Sequence, residues 1–334
     1  MARKTMINTL ELSYNPICNY DFAMVKDDEL FRTFIRNSSI YIITQRSELT
    51  IELLRPEFHP PHQTVLHFEI RQKGNPSVLK CQIPMYQPQL AADINKEIRF
   101  HFEYALPKPN PVPKTFPQNN VRNLLVYYHD DTFITWLSAE NFIQNYLRGA
   151  LEASVEGPIE EFIKYKVHYV GKSTEQEIWK RLTGHSTLQQ ILSLEYPLQY
   201  GTLPTHEIAI LFLQLKEAVG FHTITAADPV TEDLIYSLKG TSLPSAKTIL
   251  LDAEKALIKA MQPGYNKQFY NNYPSSKDGL SGYNLDAYSF QILSPIILQY
   301  KNGLIKGSQD YGADSIQIQK DQPLKIINNN RPIL

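Results

Sequence analysis

The stretch from Tyr165 to His185, Y-K-V-H-Y-V-G-K-S-T-E-Q-E-I-W-K-R-L-T-G-H, decides how the chain is interpreted, because it predicts a strand, a turn and a helix in succession. Side chains alternate between the two faces of a strand, so Tyr165 and Tyr169 are expected on the same face. Gly171 then begins the turn. Two phenol hydroxyls are therefore expected close together where the strand ends.

The helix of this stretch is predicted to begin near Thr174. Thr174 followed three residues later by Glu177 has the form of a capping box, in which each side chain bonds a backbone N–H of the first turn. Residues four apart lie on one face of a helix, so Arg181 and His185 are expected side by side. The two phenols, the guanidinium and the imidazole then converge on one small site.

A second stretch, residues 243 to 267, predicts a longer helix with the sequence L-P-S-A-K-T-I-L-L-D-A-E-K-A-L-I-K-A-M-Q-P-G-Y-N-K. Ser245 is its expected N-cap, and Pro263-Gly264 is expected to end it. Glu254 lies in the middle of this helix, and Asn266 follows its end at once. A carboxylate and an amide are thus further candidates for the site.

The segment between His185 and Glu254 predicts two more elements. Residues 196–204 are rich in proline, glycine and tyrosine, which is typical of an inserted loop. Residues 206–213 begin with His and Glu and continue as an unbroken apolar run, which predicts a buried central strand.

Taken in order, these residues resemble the GIY-YIG nuclease superfamily over about residues 156 to 274. The matching positions are Tyr169-Val170-Gly171 for the second half of the name motif, Arg181 and His185 on the first helix, Glu254 on the second helix, and Asn266 in the closing P-G-Y-N. The resemblance implies an endonuclease that hydrolyses DNA phosphodiester bonds with one Mg²⁺ or Mn²⁺ ion.

Each matched side chain has an implied role. The implied catalytic residues are Tyr169, Arg181, His185 and Glu254, with Glu254 also as the metal ligand. Their chemistry agrees with such roles, because Mg²⁺ takes one or two protein carboxylates and keeps most of its waters. An arginine fork also matches a phosphate group. The residues expected to bind substrate are Gly171, Lys172, Lys180 and Asn266.

The first motif of the family, G-I-Y, is not matched in full. It should end shortly before Tyr169, where this chain has Gly157-Pro158-Ile159 and no tyrosine. In the family a tyrosine is thought to take the proton, so Tyr165, the nearest other phenol, is the candidate replacement. A Tyr165 hydroxyl beside Tyr169 and facing Glu254 would favour an enzyme, whereas a Tyr165 in the core would favour a binding module.

Simpler interpretations exist for the same residues. They are a packed strand tyrosine for Tyr169, an ion pair with Glu177 for Arg181, a helix-end charge for His185, an exposed surface residue for Glu254, and a turn residue for Asn266. For the whole protein, the alternatives are a non-catalytic nucleic-acid-binding or protein-interaction module with the same fold, and a nuclease that acts on RNA.

Composition limits the kind of nucleic-acid contact. The 334 residues carry a formal net charge of −1, which argues against a large non-specific footprint of lysine and arginine. The basic residues near the first helix form either a local binding patch or an ordinary solvated face; they are Lys164, Lys166, Lys172, Lys180 and Arg181. No apolar run approaches a membrane span, and Cys18 and Cys81 form no metal or disulfide pattern, so a cytoplasmic protein is expected.

The rest of the chain predicts an α+β protein with β-rich parts at both ends. Eight short strand-like runs, among them S-I-Y-I-I-T at residues 39–44, predict an antiparallel β-rich domain. The predicted parts are this domain over 1–137, a linking helix over 138–155, the GIY-YIG-like α/β domain over 156–275 and a β-rich extension over 276–334. The N-terminal domain is expected to recognise the target, to contact a protein partner or to self-associate.

Overall fold

The computed structural model describes residues 3–59, 63–90, 92–224, 232, 235, 243–310, 312–320 and 322–329. Within these ranges, short helices and one long helix pack against two β-sheets of different size. The predicted α+β class is therefore confirmed.

The larger sheet is mixed and contains ten of the described strands. They are β1 (Arg3–Leu12), β2 (Ile17–Cys18), β3 (Ile40–Gln45), β11 (Lys164–Lys172), β12 (Ile208–Thr223), β13 (Ala287–Ile292), β14 (Ile297–Tyr300), β15 (Gly303–Lys306), β16 (Ser315–Gln319) and β17 (Lys325–Ile327). Their order is β15-β14-β11-β3-β12-β1-β13-β16-β17, with β2 beside β12. The pairs β1–β13 and β11–β14 are parallel, and the other pairs are antiparallel.

The second sheet contains seven of the described strands and is antiparallel throughout. Its strands are β4 (Leu49–His59), β5 (Gln63–Gln72), β6 (Val78–Pro84), β7 (Ile98–Tyr104), β8 (Val121–Tyr128), β9 (Phe133–Ser138) and β10 (Ser154–Glu156). Their order is β10-β6-β5-β4-β8-β7, with β9 beside β8. The whole second sheet therefore lies between β3 and β11 in the chain.

The described helices are α1 (Asn19–Val25), α2 (Glu29–Ile35), α3 (Ala139–Leu147), α4 (Ile178–Thr183), α5 (Ser186–Leu194), α6 (Pro204–Glu207) and α7 (Ala246–Met261). The predicted cap of α7 is confirmed, because the Ser245 hydroxyl accepts the Thr248 N–H at 3.1 Å. The predicted linking helix is shorter than expected, since Gly149 adopts a left-handed conformation with φ +65° just after α3. None of the described helices is long and apolar enough to cross a membrane.

The parts predicted along the chain do not coincide with the two sheets. All eight runs before residue 137 form strands, but β1 and β3 belong to the large sheet and not to a domain of residues 1–137. Of the strands after residue 276, β13 pairs with β1 and β14 with β11, and β15, β16 and β17 continue from these two, so all five are part of the large sheet. Periodicity shows which residues of a strand are buried, but it does not show which distant strand lies beside it.

The two faces of the large sheet carry different cores. One face packs on α1, α2, α4 and α5 and includes Tyr41, Ile43 and Phe212. The opposite face includes Ile42 and Tyr165 and packs, in one continuous cluster, on α3, α7 and the second sheet. The second sheet is thus joined to the large sheet by a shared hydrophobic core.

Candidate active site

An irregularity in β11 decides which side chains meet. Val167 pairs with Thr44 and Tyr169 pairs with Ile43, so His168 is an extra residue opposite β3. A bulge of one residue reverses the alternation of side chains beyond it. Tyr165 therefore faces the core shared with the second sheet, whereas Tyr169 packs on the opposite face. The prediction that these two phenols share a face is wrong for this reason.

Tyr165 takes no part in the site. Its side chain is fully buried, and its hydroxyl donates to the Glu140 carboxylate. Arg46 forms an ion pair with the same carboxylate, and its guanidinium carbon lies 5.3 Å from the centre of the Tyr165 ring. The predicted role of Tyr165 as a replacement for the missing phenol is therefore not supported. Taken alone, this position favours the binding module.

Tyr41 on β3 supplies a second phenol next to Tyr169. It is fully buried and pairs in register with Gly171, and its ring centre lies 6.0 Å from that of Tyr169. The run Ser39-Ile40-Tyr41, with serine where the G-I-Y motif has glycine, ends at the residue that pairs with Gly171, and Tyr169 and Val170 pair with Ile43 and Ile42. The sequence signal was the run S-I-Y-I-I-T, but the second sheet separates it from Tyr169 along the chain.

Gly171 makes the approach of the two rings possible. A Cβ at this position would lie 2.5 Å from Cζ of Tyr41 and 2.6 Å from Cε1 of Tyr169. Any side chain here would push the rings apart, and Gly171 itself is buried. The residue predicted to bind substrate therefore shapes the site instead of contacting a ligand.

His185 is held between a helix and Tyr41. The predicted capping box does not form, because α4 begins at Ile178 after an N-cap, Glu177, whose side chain makes no capping bond. Gly184 separates α4 from α5, and His185 is the N-cap of α5. Its Nδ1 accepts the Leu188 N–H at 3.0 Å. His185 therefore lies on a different helix from Arg181.

These hydrogen bonds fix the protonation of His185. Because Nδ1 is an acceptor, the proton of the neutral ring is on Nε2, which donates to the Tyr41 hydroxyl at 2.9 Å. Burial, and then the charge of Arg181, lowers the pKa of His185 to about 4. The imidazole is neutral near pH 7 and acts as a hydrogen-bond donor to Tyr41.

Arg181 is an exposed cation at the rim of the phenol pair. Its guanidinium lowers the pKa of Tyr41 and of Tyr169, which burial raises. Among the described residues it forms no ion pair with a carboxylate, because Glu177 pairs instead with Lys180 at 2.6 Å. The substrate contact of Lys180 stays a prediction, and the charge of Arg181 acts on the two phenols of the site.

Glu254 reaches the site from α7. Its mostly buried carboxylate accepts a hydrogen bond from the Tyr270 hydroxyl at 3.5 Å and pairs with the Lys172 ammonium at 3.0 Å. Burial raises the pKa of Glu254, and Lys172 lowers it. The Glu254 charge also raises the pKa of Tyr169 and, after burial, contributes to raising that of Tyr270 to about 12. Tyr270 was not predicted, because nothing in its sequence context distinguishes it.

The oxygen ligands near Glu254 fit one kind of metal ion. In the described part of the chain, no three His, Cys, Asp or Glu side chains cluster as a metal site. A single carboxylate beside phenol oxygens suits Mg²⁺, or Mn²⁺ in its place, since Mg²⁺ retains several waters and needs only one or two protein carboxylates. Glu254 is thus compatible with the predicted single ion, with Lys172 on the same carboxylate.

Asn266 holds the edge of the large sheet. β14 pairs only with Lys164–Lys166, so the second half of β11 is an edge. On that edge, the Asn266 side chain accepts the Val170 N–H at 2.9 Å and donates to the Val170 carbonyl at 2.8 Å. Both ends of its amide are used, so Asn266 positions β11, and its contact with substrate stays a prediction.

Five side chains therefore meet at this edge: Tyr41, Tyr169, Arg181, His185 and Glu254. Four of them were predicted from the sequence, and Tyr41 takes the place that Tyr165 was expected to fill. The family models, the curated proteins and the solved structures compared with this chain gave no match, so its function has to be inferred from this geometry.

Proposed function

We propose that this chain is a metal-dependent endonuclease that hydrolyses phosphodiester bonds in nucleic acid, with DNA as the expected substrate. One observation carries the proposal. Two phenols from neighbouring strands, backed by a neutral histidine, lie between a permanently charged arginine and a single carboxylate. Hydrolysis of a phosphodiester needs a base for the attacking water and positive charge at the phosphoryl oxygens, and these groups can supply both.

The hydrogen bonds give the two phenols different roles. His185 donates to the Tyr41 oxygen, so the Tyr41 hydroxyl donates its own proton to another acceptor. The Tyr169 oxygen is beside it, and this hydrogen bond lowers the pKa of Tyr169, opposing the effects of burial and of Glu254. We therefore assign the phenolate form of Tyr169 as the group that takes the proton of the attacking water and becomes the neutral phenol, and Tyr41 as the residue that positions it.

Arg181 is assigned to the phosphate. Its planar fork matches two phosphoryl oxygens, and it stays charged at every physiological pH. It is exposed and has no carboxylate partner among the described residues. A fixed cation at this position stabilises the negative charge that grows on the phosphoryl oxygens.

Glu254 would hold the metal ion. The bound ion would supply positive charge and a more acidic water. Lys172 already lies on the Glu254 carboxylate, so it is in place to contact a phosphate oxygen. This keeps Lys172, as predicted, among the residues that bind substrate.

A non-catalytic nucleic-acid-binding or protein-interaction module is the second candidate. The specific observation in its favour is the ion pair of Lys172 with Glu254, because a carboxylate that an ammonium neutralises has no need of a metal ion. RNA is an alternative substrate for the nuclease, since a phosphate clamp does not contact the sugar.

The decisive experiment is cleavage of supercoiled plasmid and of single- and double-stranded DNA and RNA with Mg²⁺ or Mn²⁺. Removal of one charge-stabilising group typically lowers turnover by about 10²–10³-fold, so Glu254→Gln and Arg181→Ala are expected to lose cleavage to that extent. Lys180→Gln is the matched control on α4, and thermal melting verifies the fold of each variant. Binding without cleavage of any substrate would overturn the nuclease and support the second candidate.

A further inference from the structure

The loop between α5 and α6 displays aromatic rings to solvent. Tyr196 is 86% exposed and Tyr200 is fully exposed, together with exposed Leu194, Leu198 and Leu203. Large apolar side chains clustered in one exposed segment mark an interaction site more often than chance exposure. The segment, residues 195–203, is called the tyrosine loop.

A buried carboxylate holds the tyrosine loop in one conformation. Glu207 is almost fully buried, and it accepts hydrogen bonds from the backbone N–H of Leu198 at 2.5 Å and from the Thr202 hydroxyl at 2.6 Å. The Gln45 amide donates to Glu207 at 3.1 Å and to the Tyr196 carbonyl at 2.9 Å. The backbone of the tyrosine loop is therefore held in one conformation, with both tyrosine rings in solvent.

A polar groove of about 390 Å³ lies beside this loop, and both sheets line it. Its cations are Arg46, Lys73, Lys164 and Lys166, and its one lining carboxylate is Glu161. Arg46 and Lys73 pair with buried carboxylates. Lys166 forms only a long ion pair with Glu195 at 3.8 Å, and Lys164 lowers the pKa of Glu161 without a close ion pair among the described residues, so these two lysines are the least tightly paired cations of the groove.

The groove lies on the same strand as the proposed active site. Lys164 and Lys166 alternate with the buried Tyr165, so they lie on the face of β11 to which the bulge returns Tyr169. Lys166 precedes Tyr169 by three residues, a distance of about 10 Å along a strand. Tyr265 joins the two regions, because its hydroxyl donates to Glu195 at 2.8 Å and its N–H to the His168 carbonyl at 3.1 Å.

We propose that the tyrosine loop and this groove bind a single-stranded segment of nucleic acid next to the bond that is cleaved. Tyr196 and Tyr200 stack on unpaired bases, and Lys164 and Lys166 bind the phosphates between them and the site. Stacking tolerates every base, and a rigid tyrosine loses little conformational entropy when it binds. This inference rests on the proposed function, and it names the form of the substrate.

The test measures binding separately from cleavage. Fluorescence anisotropy of a short mixed-sequence single-stranded DNA is followed with the whole chain in the Glu254→Gln background. The double variant Tyr196→Ser/Tyr200→Ser is expected to bind at least about tenfold more weakly. Tyr196→Phe/Tyr200→Phe keeps the rings and is expected to bind as the parent does. Phe133→Ser, an exposed aromatic on the second sheet, is the matched control.

The lysines are tested through the salt dependence. Lys164→Gln/Lys166→Gln is expected to reduce the slope of log Kd against log salt by about 1.4, because each phosphate contact on a single strand contributes about 0.7. Lys301→Gln, an exposed lysine at the turn after β14, is expected to leave the slope unchanged.

Two results would overturn the inference: parental affinity in the serine double variant, or equal affinity for a duplex of the same length. Both differ from failure of the proposed function. A chain that binds through Tyr196 and Tyr200 but cuts nothing would keep this inference and refute the nuclease. Conversely, if the chain cleaves DNA in a Glu254-dependent way and the serine variant changes neither cleavage nor DNA binding, the nuclease is supported and this inference is refuted.

Discussion

Tyr165 and Tyr169 lie four residues apart on β11, and their surroundings are opposite. Tyr165 is sealed in the core with its hydroxyl on Glu140, whereas Tyr169 is half-buried beside Tyr41 at a sheet edge. The extra residue His168 creates this difference by reversing the alternation of side chains. One inserted residue thus places two tyrosines of the same strand on opposite faces of the sheet, one in the core and one at the proposed active site.

Different neighbours act on the pKa values of the two phenols. Burial and the Glu140 carboxylate raise the pKa of Tyr165 far above its usual range. Burial also raises the pKa of Tyr169, but the Tyr41 hydroxyl and Arg181 oppose this rise. Cations oppose the rise at Tyr165 too, where they are Arg46 and Arg148, so the two phenols differ in exposure and neighbours and not in the direction of their pKa shift.

The largest expected effect on cleavage comes from removing the Tyr169 hydroxyl, with removal of the Tyr165 hydroxyl as the comparison. Loss of an acid–base group typically lowers turnover by about 10²–10⁴-fold, so Tyr169→Phe is expected to lose cleavage on that scale. Tyr165→Phe should cleave normally but lose about 1–3 kcal/mol of stability, since Glu140 loses a buried donor. Plasmid nicking and urea unfolding measure the two effects. Loss of cleavage in Tyr165→Phe would contradict the assignment of Tyr169, and not Tyr165, to the active site.

Gly171→Ala tests the approach of the two rings. The added Cβ overlaps Tyr41 and Tyr169, so it is expected to displace them, to lower turnover severely and to cost about 1–3 kcal/mol of stability. Gly184→Ala is the control, because a Cβ there meets nothing within 4 Å. Equal turnover in the two alanine variants would show that the rings need no such contact.

His185 is expected to make the folded chain less stable at acid pH. His185 has a pKa of about 4 in the folded chain and about 6.5 when unfolded, so between these values the unfolded chain binds more protons. Stability should therefore fall as the pH falls from about 6.5 to 4, by at most about 3 kcal/mol for this residue. His168 adds an effect of the same sign, since burial also lowers its pKa to about 4.

His185→Asn isolates this contribution. Asparagine keeps an oxygen that can cap α5 but does not titrate. Urea unfolding at several pH values should give a flatter profile for this variant than for the wild type. An unchanged profile would mean that His185 is protonated alike in the folded and unfolded chains.

The smallest effect is expected at Lys180. Its ion pair with Glu177 is exposed, and such pairs contribute about 0–1 kcal/mol. Lys180→Gln should therefore leave both stability and turnover near the wild-type values. A large loss of cleavage would place Lys180 on the substrate and extend the site along α4.

Local patterns predicted the elements well. The strand-like runs and the cap at Ser245 reflect side-chain periodicity and hydrogen bonding within a few residues, and these features are visible in the sequence. Glu254 and Arg181 could also be selected from the sequence, because a carboxylate and a guanidinium are the groups that bind a metal ion and a phosphate. Both lie near Tyr169 in the structure. Two interpretations failed: the capping box at Thr174 does not form, and the bulge at His168, which has no local signature, turns Tyr165 to the opposite face from Tyr169.

Tyr41 shows the other limit of sequence reasoning. It lies 144 residues from His185, to which it is hydrogen-bonded, and the whole second sheet intervenes. Pairing between β3 and β11 is a long-range event that hydrophobic periodicity does not specify. The motif S-I-Y was visible in the sequence, but its partner strand was not.

The insertion of residues 46–163 also has a consequence for how the protein is made. Gln45, at the end of β3, pairs with Lys166 near the start of β11, so the inserted segment leaves and returns at adjacent points. During synthesis Tyr41 is made before all strands of the second sheet. It can contact His185 and Glu254 only after most of the chain has been synthesised. The proposed active site is thus assembled late in synthesis, because its residues lie on both sides of the inserted segment.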